Sequence, residues 1–374
     1  MVNVMDMKSL LKETKERNAS DLHIIAGASP GFRVNGQLMA FDGVKLTPEM
    51  SRDLVYQILS EQQKKTFEET NYLDFGFGLS GVGRFRVNVH YQRSSVAAAF
   101  RLIPIHTPSL SELGLPEILL QLALKPKGLI LVTGPTGSGK STTLAAMINA
   151  INERRRVHII TIEDPIEYLH THKKAMIEQA ELGTDTPSFA EALKYSLRQD
   201  PDVILVGEMR DLETISTAIT AAETGHLVLA TLHTRDAPQT INRIIDVFPG
   251  HQQTQIRTQL ASSLVGIIAQ TLLPRKDGKG RVAALEILIN VLAVANLIRS
   301  QKTHQISSYM QTGTELGMRT MAQSLRALVE KDIISAEQAQ TWAEDITSLK
   351  TEKEVSLNST FSAEERGKYS FLKS

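Results

Sequence analysis

The stretch GPTGSGKST at residues 134–142 limits what this chain can fold into more than any other part of the sequence. It follows the apolar run at 129–132 and is followed by residues with helical spacing. Its glycines let backbone N–H groups converge on phosphate oxygens, because no Cβ blocks the approach. The stretch matches G-x-x-x-x-G-K-[ST] in full, between a predicted strand and a predicted helix. It therefore predicts a loop that binds a nucleoside triphosphate, rather than an incidental glycine-rich turn.

Two side chains of this motif have types that suit particular roles. The Lys140 ammonium would bridge the β- and γ-phosphates, and the Ser141 hydroxyl would bind Mg²⁺. We therefore expect ATP and Mg²⁺ to bind here. The predicted binding residues are Gly134, Pro135, Thr136, Gly137, Ser138, Gly139, Lys140, Ser141 and Thr142.

Composition excludes several classes of protein. Lys+Arg and Asp+Glu are equal at 41 each, and the three arginines at 154–156 are expected to be a solvated loop, so we predict no nucleic-acid partner. The chain has no cysteine, which excludes disulfides and thiolate zinc sites and fits a reducing compartment. No run approaches the ~20 apolar residues of a membrane span. We therefore expect a soluble, cytoplasmic protein.

The first part of the chain has the pattern of a small α+β domain. Residues 1–101 combine helical spacing at 4–17 and 47–69 with short alternating strands, of which GRFRVNVHYQR at 83–93 has strict period two. Strands and helices without regular alternation are typical of an α+β domain. Residues 102–116 are rich in proline and polar residues, and we interpret them as an interdomain linker.

The second part, residues 117–348, is predicted to be an α/β domain with a parallel-rich sheet. Apolar runs without alternation, separated by helices, are typical of a parallel sheet buried on both faces. The runs lie at 129–132, 157–162, 203–206 and 227–232, and the helical stretches at 140–152, 188–198 and 211–223. We interpret 251–273 and 285–300 as further amphipathic helices, and 349–374 as a disordered tail.

Two acidic residues follow buried strands. Glu208 comes after the apolar strand in DPDVILVGEMRD (200–211), and Glu163 ends the strand in IITIEDPIEYLH (159–170). Because the carboxyl ends of parallel strands share one edge of a sheet, both acids would lie beside the phosphate loop. We expect Glu208 to hold Mg²⁺ and Glu163 to orient the attacking water.

Two histidines bracket the apolar strand in ETGHLVLATLHT (223–234). Histidines in such positions are more often core or strand-end residues than ligands. Here we expect both His226 and His233 to emerge at the edge of the sheet where the γ-phosphate lies. His233 would sense that phosphate through a hydrogen bond.

Two arginines of the first domain are candidate catalytic residues. Arg84 and Arg86 share one face of the strand at 83–93, because side chains alternate along a strand. They are either exposed charges on that face or groups that reach the nucleotide and neutralise transition-state charge.

The motifs, taken in this order, resemble the secretion-superfamily ATPases and, among them, the type IV pilus retraction ATPases of the PilT group. The resemblance covers about residues 5–345. It rests on SDLH at 20–23, GRFRVN at 83–88, EDPIEYLH at 163–170, LRQDPDVILVGEMRD at 197–211 and KTHQISSYMQTGTELGMRTM at 302–321.

This resemblance implies a PAS-like N-terminal domain joined to a RecA-like P-loop ATPase domain, assembled as a homo-hexamer. It implies ATP hydrolysis that drives pilus retraction and twitching motility at the cytoplasmic face of the inner membrane. The implied partners are the inner-membrane platform protein and a paralogous retraction ATPase. The implied roles are Glu163 as catalytic carboxylate, Glu208 as the Walker B acid, and His226 and His233 as histidine-box residues.

The chain departs from the family pattern at 293–300. The family has an arginine where this chain has Ala295, and an acid where it has Ser300. Three alternatives therefore stay open: a divergent paralogue, a related secretion or extension ATPase, and a nucleotide-binding regulatory subunit with little hydrolysis. Extension ATPases usually carry a four-cysteine zinc element, which this chain lacks, and the presence of both Glu163 and Glu208 argues against weak hydrolysis.

Overall fold

The computed structural model describes residues 6–41, 45–104 and 106–342, without the side chains of residues 341 and 342. The predicted tail at 349–374 and the predicted domain end at 348 lie outside these residues. Within the described ranges, none of the helices combines the length and the apolar character that crossing a bilayer requires.

The chain divides into two compact units. The first contains Met1–Leu110, Ala123–Lys127 and Ser141–Ala230, and the second contains Ser111–Leu122, Gly128–Lys140 and Thr231–Ser374. The domain boundaries expected at residues 101 and 116 stay predictions.

The N-terminal part of the first unit is an antiparallel sheet with three helices, so the expected α+β pattern is confirmed. The six strands are ordered β3-β2-β1-β6-β5-β4, and every neighbouring pair is antiparallel. The elements are α1 (Met7–Glu16), β1 (Asp21–Ile24), β2 (Gly31–Val34), β3 (Gln37–Ala40), α2 (Pro48–Tyr56), α3 (Glu61–Thr70), β4 (Tyr72–Leu79), β5 (Gly83–Gln92) and β6 (Ser95–Ile103).

The helical segment expected at 47–69 consists of two helices. A capping box at Ser60 starts a second helix: the Ser60 hydroxyl accepts from the Gln63 N–H at 3.2 Å, and the Gln63 side chain accepts from the Ser60 N–H at 2.9 Å. These reciprocal bonds satisfy two N–H groups that helix initiation leaves unpaired, which favours a new helix start at this point.

Four phenylalanines mark the core of this part. Their side chains are fully buried, and they come from β2, α3, β5 and β6. Burying one such side chain contributes roughly 1.5–3 kcal/mol, which holds the helices on the sheet. The four are Phe32, Phe67, Phe85 and Phe100.

The rest of the chain alternates strands and helices, as the apolar runs predict. The elements are α4 (Ile118–Ala123), β7 (Gly128–Thr133), α5 (Lys140–Arg154), β8 (His158–Glu163), β9 (Met176–Glu181), α6 (Phe189–Ser196), β10 (Val203–Val206), α7 (Leu212–Glu223), β11 (Leu227–Leu232), α8 (Ala237–Asp246), α9 (Gly250–Ser263), β12 (Leu264–Pro274), β13 (Arg281–Ile289), α10 (Leu292–Arg299), α11 (Ile306–Thr312), α12 (Met321–Glu330) and α13 (Ala336–Trp342). Two short 3-10 helices lie at Thr303–Gln305 and Thr314–Leu316.

A seven-stranded sheet has the order β13-β12-β7-β11-β10-β8-β9. In the first unit β9, β8, β10 and β11 pair in parallel, and in the second β7 pairs in parallel with β12. Only the edge pair β12–β13 is antiparallel among the described ladders of this sheet. The predicted parallel-rich α/β fold is confirmed.

The helical interpretation of 251–273 and 285–300 is wrong for the second part of the first stretch and for the first part of the second stretch. Residues Leu264–Pro274 and Arg281–Ile289 are strands, and helix is confined to α9 and α10. The sequence LVGIIAQTLLP is almost continuously apolar and buried. Its periodicity therefore does not distinguish a buried strand from a buried helix.

One buried carboxylate joins three elements of the second unit. Glu286 on β13, only 9% exposed, accepts hydrogen bonds from the backbone N–H of Ala237 at 2.8 Å and of Met321 at 3.4 Å. These N–H groups belong to the first residues of α8 and α12. The N–H groups at the start of a helix have no partner within their own helix. Glu286 thereby fixes where both helices begin.

Candidate functional site

The glycine-rich loop lies in the second unit, between a buried strand and the start of a helix at Lys140. Every residue of β7 is buried, and α5 begins at Lys140. Gly134, Gly137 and Gly139 have φ of 142°, 79° and 88°, values that L side chains rarely adopt. The N-terminus of α5 adds a partial positive charge, so this turn suits an anion.

Gln270 of β12 braces this loop from beneath. Its side-chain Nε2 donates to the Ser138 carbonyl at 2.7 Å, and Gln270 is itself buried. A Cβ on Gly139 would lie 2.7 Å from that Nε2, and a Cβ on Gly134 would collide with the Gln270 backbone carbonyl. The glycines are therefore needed for this brace as well as for access to phosphate.

The loop presents groups that fit a phosphate. The Lys140 Nζ donates to the Gly134 carbonyl at 2.8 Å and to the Pro135 carbonyl at 3.2 Å. These bonds hold the ammonium charge against the loop. The buried Ser138 hydroxyl has no hydrogen-bond partner among the described residues. Because an unsatisfied buried hydroxyl is costly, a polar ligand such as a phosphate would stabilise it.

The two predicted acids lie at one edge of the parallel strands in the first unit. Glu163 is the last residue of β8, and Glu208 lies two residues beyond β10. The Gly207 N–H donates to the Ile162 carbonyl at 2.7 Å. A Cβ on Gly207 would be 3.3 Å from the Glu163 Cα, so glycine lets the two strand ends approach closely.

The Glu163 carboxylate is held by neutral donors. Thr161 donates to its Oε1 at 2.7 Å and the Gln179 amide donates to the same oxygen at 3.1 Å. Burial raises the pKa of Glu163, while these bonds and the Glu167 backbone N–H oppose the rise. A carboxylate with a raised pKa is a better proton acceptor near neutral pH, which suits a general base.

Glu208 faces a cation of its own segment. Its Oε2 lies 2.7 Å from the guanidinium of Arg210, and this contact raises the pKa of Arg210. The hard oxygen donors of Ser141 and Glu208 are of the kind that Mg²⁺ prefers. The donor set therefore fits Mg²⁺.

The expectation that both histidines emerge at one edge of the sheet is wrong. His226 precedes β11, so it lies at the amino edge, where its Nδ1 is 3.0 Å from the Ala221 carbonyl. Six strand residues at about 3.3 Å each put it roughly 20 Å from the other end of β11. His233 follows that other end directly, and the preceding Leu232 carbonyl accepts from the Gly134 N–H at 3.3 Å.

Arg84 and Arg86 share one face of β5, as predicted, but they differ in environment. Arg84 forms an ion pair with Glu181 of β9 at 3.1 Å, with its side chain 21% exposed and that of Glu181 3% exposed. Gly76 allows this pair, because a Cβ there would collide with both side chains. Arg86 is exposed.

Sequence reasoning missed Thr161, Gln179, Glu181 and Gln270. Gln179 and Glu181 lie on β9, a strand that the apolar runs did not reveal because its exposure alternates. Gln270 lies in the stretch that was interpreted as a helix. The sequence MIEQAE carries no period-two signal that would reveal β9, because the polar residues Glu178 and Gln179 are adjacent.

Comparisons with known proteins find similar proteins over most of this chain. The family model "Type II/IV secretion system protein" matches residues 2–368. The Pseudomonas aeruginosa protein "Type IV pilus retractation ATPase PilT" is 49% identical over 335 residues, which are 90% of this chain and 97% of that protein. The same organism's "Type IV pilus ATPase PilU" is 44% identical over 346 residues, which are 92% and 91% of the two chains.

A solved structure is also similar over nearly its whole length. "Crystal Structure of the Pilus Retraction Motor PilT and Bound ADP" has a TM-score of 0.86 and 51% sequence identity, and the match covers 92% of this chain and 99% of that chain.

Replacing Gly134 by Ala should lower the melting temperature more than replacing Gly278 by Ala. Both glycines have positive φ, so alanine at either position strains the backbone and lowers the free energy of unfolding by about 1–2 kcal/mol. Only Gly134 would also collide with Gln270, because nothing lies within 4 Å of a Cβ on Gly278. Thermal unfolding of both variants checks this, and equal losses would contradict the brace.

Replacing Glu163 by Gln should stabilise the nucleotide-free protein at neutral pH, because burial raises the pKa of the carboxyl and disfavours its ionised form in the fold. The penalty is absent below the ordinary glutamate pKa of about 4.3 and grows as the pH rises through the higher folded value. The melting-temperature difference from wild type should therefore increase with pH. Glu69→Gln, at an exposed position, is the control. A difference that is flat or falls with pH would contradict this assignment.

Proposed function

The chain belongs to the type II/IV secretion system protein family, and we propose that it is an ATP-hydrolysing motor that drives retraction of a type IV pilus. The observation that carries this proposal is the similarity to a retraction ATPase over nearly the whole length of both proteins. The glycine-rich loop and the partly buried Glu163 supply the groups that such a reaction needs.

ATP would bind at the glycine-rich loop. The loop's backbone N–H groups and the start of α5 would hold the phosphates, with Gly134, Pro135, Thr136, Gly137, Ser138 and Gly139 forming the loop itself. The Lys140 ammonium would turn from the carbonyls of its own loop to the β- and γ-phosphates. Thr142 follows at the first turn of the helix. Nucleotide binding is supported by the ADP that the similar solved structure contains.

Ser141 and Glu208 would hold Mg²⁺. The ion, when bound, neutralises charge that develops on the phosphates. For this role the Glu208 carboxylate would exchange its contact with Arg210 for the ion, directly or through water. Both residues supply oxygen, in keeping with the preference of this cation.

Glu163 would orient the attacking water and accept its proton. Its raised pKa makes it a stronger base than an exposed glutamate, and both side-chain donors bind Oε1 rather than Oε2. The Oε2 atom would thus face the water. A positioned base of this kind contributes a factor of about 10²–10⁴ to the rate.

His233 and the arginines would respond to the γ-phosphate. His233 follows the strand whose last carbonyl contacts Gly134, so it is the histidine that we assign to phosphate sensing. Arg86 is exposed, whereas Arg84 would first have to leave Glu181. For His226 we propose no contact with the phosphates bound by its own chain, because it lies at the amino edge of β11.

The proposed assembly is a homo-hexamer at the cytoplasmic face of the inner membrane. Its partners would be the inner-membrane platform protein of the pilus machine and a paralogous retraction ATPase. These proposals rest on the family resemblance, and the balanced charge of the chain gives no reason to add a nucleic acid.

A second candidate is a companion ATPase of the same machine rather than its principal retraction motor. The observation that favours it is the segment around α10. Ala295 is only 5% exposed, and the Ser300 hydroxyl donates to the Asn296 carbonyl at 2.7 Å, where the retraction family has an arginine and an acid. The similarity to PilU is compatible with this candidate.

Lys140→Ala should abolish retraction, because it removes the charge that bridges the β- and γ-phosphates. Cells that lack the chain should be hyperpiliated and non-retracting, and wild type or the exposed Lys127→Ala should restore retraction while Lys140→Ala should not. Purified Lys140→Ala should hydrolyse ATP at a background rate. Bald cells would indicate pilus extension instead, and retraction that stays normal without the chain would favour the companion role.

The two acids should differ in their effect on Mg²⁺. Glu163→Gln removes the proton acceptor but leaves the metal ligands, so ATP and Mg²⁺ should still bind while turnover falls roughly 10²–10⁴-fold. Glu208→Gln should weaken the apparent Mg²⁺ affinity, since an amide is a poorer ligand for a hard cation. Hydrolysis rates measured across a Mg²⁺ titration test both. Wild-type Mg²⁺ affinity in Glu208→Gln and a large loss in Glu163→Gln would reverse the roles.

A further inference from the structure

Two neutral side chains donate hydrogen bonds to the same carboxylate oxygen of Glu163. The Thr161 hydroxyl is 2.7 Å and the Gln179 Nε2 is 3.1 Å from Oε1. Thr161 and Glu163 point to the same face of β8 because they are two residues apart, and Gln179 is the register partner of Thr161 on β9. All three residues belong to the first compact unit. Strand pairing therefore places both donors beside the carboxylate.

The Gln179 amide has one orientation that satisfies all its neighbours. Its Nε2 also donates to the Tyr168 carbonyl at 2.9 Å, and its Oε1 accepts from the His170 N–H at 2.9 Å. Turning the amide over would set its oxygen against a carboxylate and a carbonyl, and its N–H groups against another N–H. The donor that reaches Glu163 is thus fixed by three contacts.

The same network reaches the helix that follows the glycine-rich loop. The Tyr168 hydroxyl lies 3.0 Å from the Thr142 Oγ1, near the first turn of α5. The Tyr168 side chain therefore contacts α5, and the Tyr168 backbone carbonyl accepts a hydrogen bond from Gln179. The position of Gln179 is tied to the start of that helix.

We propose that Thr161 and Gln179 are positioning residues that hold Glu163 by Oε1 and direct its Oε2 toward the attacking water. This inference rests on the proposed role of Glu163 as the base. Neutral donors orient the carboxylate and stabilise its ionised form but leave its negative charge in place. An arginine in the same position would cancel that charge.

The charged groups near Glu163 come from the elements around it. Glu167 follows in the next loop: its backbone N–H lowers the pKa of Glu163, as the two side-chain donors do, and its carboxylate charge raises that pKa by less. Glu181 on β9 is paired with Arg84, and Glu208 beyond β10 is paired with Arg210. Removing a neutral donor leaves these charges in place. A shift of the low-pH side of the pH–rate profile, its acid limb, would therefore report the lost hydrogen bond.

The test is the pH dependence of single-turnover ATP hydrolysis by the assembled full-length protein with Mg²⁺. Thr161→Val and Gln179→Met each remove a donor at nearly constant volume. Each variant should move the acid limb of the profile upward by about one pH unit, because a lost hydrogen bond to a charged group disfavours ionisation by that much. The rates should approach wild type as the pH rises.

Conservative and matched variants separate positioning from packing. Thr161→Ser keeps the hydroxyl and should restore the wild-type profile. Thr14→Val is the control: Thr14 is also fully buried and its hydroxyl donates to the Leu10 carbonyl in α1, so its loss should leave the profile unmoved.

A second measurement needs no activity. Without the Thr161 donor the ionised Glu163 is less favourable in the fold, so Glu163→Gln should raise the neutral-pH melting temperature more in a Thr161→Val background than in wild type. This holds even where Thr161→Val hydrolyses too slowly for kinetics.

The outcomes distinguish the inference from the function on which it rests. Glu163→Gln that hydrolyses ATP at nearly the wild-type rate would remove the proposed base. The positioning role alone would be overturned by the following combination. Glu163→Gln is inactive, the pH–rate profiles of Thr161→Val and Gln179→Met are not shifted, and Glu163→Gln changes the melting temperature equally in the wild-type and Thr161→Val backgrounds. A uniform loss of rate at every pH, not restored by Thr161→Ser, would also overturn it and assign both residues to packing.

Discussion

The register of the buried parallel strands is the constraint on which the candidate site depends. Ile162, Val206 and Ala230 lie in one row across β8, β10 and β11, so the segments that follow these strands emerge at one edge. A slip of one residue would turn every side chain of a strand to the opposite face. It would also separate Thr161 and Glu163 from Gln179. The packing of the apolar core thus fixes which residues lie at the edge of the sheet, because close-packed side chains leave little freedom for another register.

Three carboxylates of this fold are stabilised in different ways, and the differences match their roles. Glu181 is neutralised by the Arg84 guanidinium, and Glu286 accepts N–H groups at two helix starts, so both serve to hold elements together. Glu163 receives two neutral donors, and burial still raises its pKa. Because a base must keep its affinity for a proton, partial compensation by neutral donors suits Glu163, whereas the ion pair with Arg84 suits the structural role of Glu181.

The sequence was sufficient for the class of fold and the chemical nature of the site, and insufficient for its supporting contacts. The glycine-rich motif and the apolar runs predicted the strands that carry it, because burial on both faces leaves a plain signature. The sequence predicts a helix over residues 264–273 where the structure has a strand, since a continuous apolar run has no period that distinguishes the two structures. That error hid Gln270. The contacts of Gln179 and Arg84 depend on which strands become neighbours, a non-local fact that local patterns do not contain. His226 lies away from His233 because a residue before a strand lies at the opposite edge of the sheet from a residue after it.

Arg84 shows why the two interpretations of an arginine near such a site are linked. Its partner Glu181 also accepts from the Ile166 N–H at 3.2 Å, in the loop that follows Glu163. If Arg84 moves to a phosphate, Glu181 is left buried with an uncompensated charge, which costs several kcal/mol unless the loop rearranges. A structural role in one state and a phosphate-binding role in another are therefore compatible, provided that the loop at Ile166 moves with the arginine. Any such exchange would act on Glu163 through its own chain neighbours, and would link the position of β5 to the state of the base.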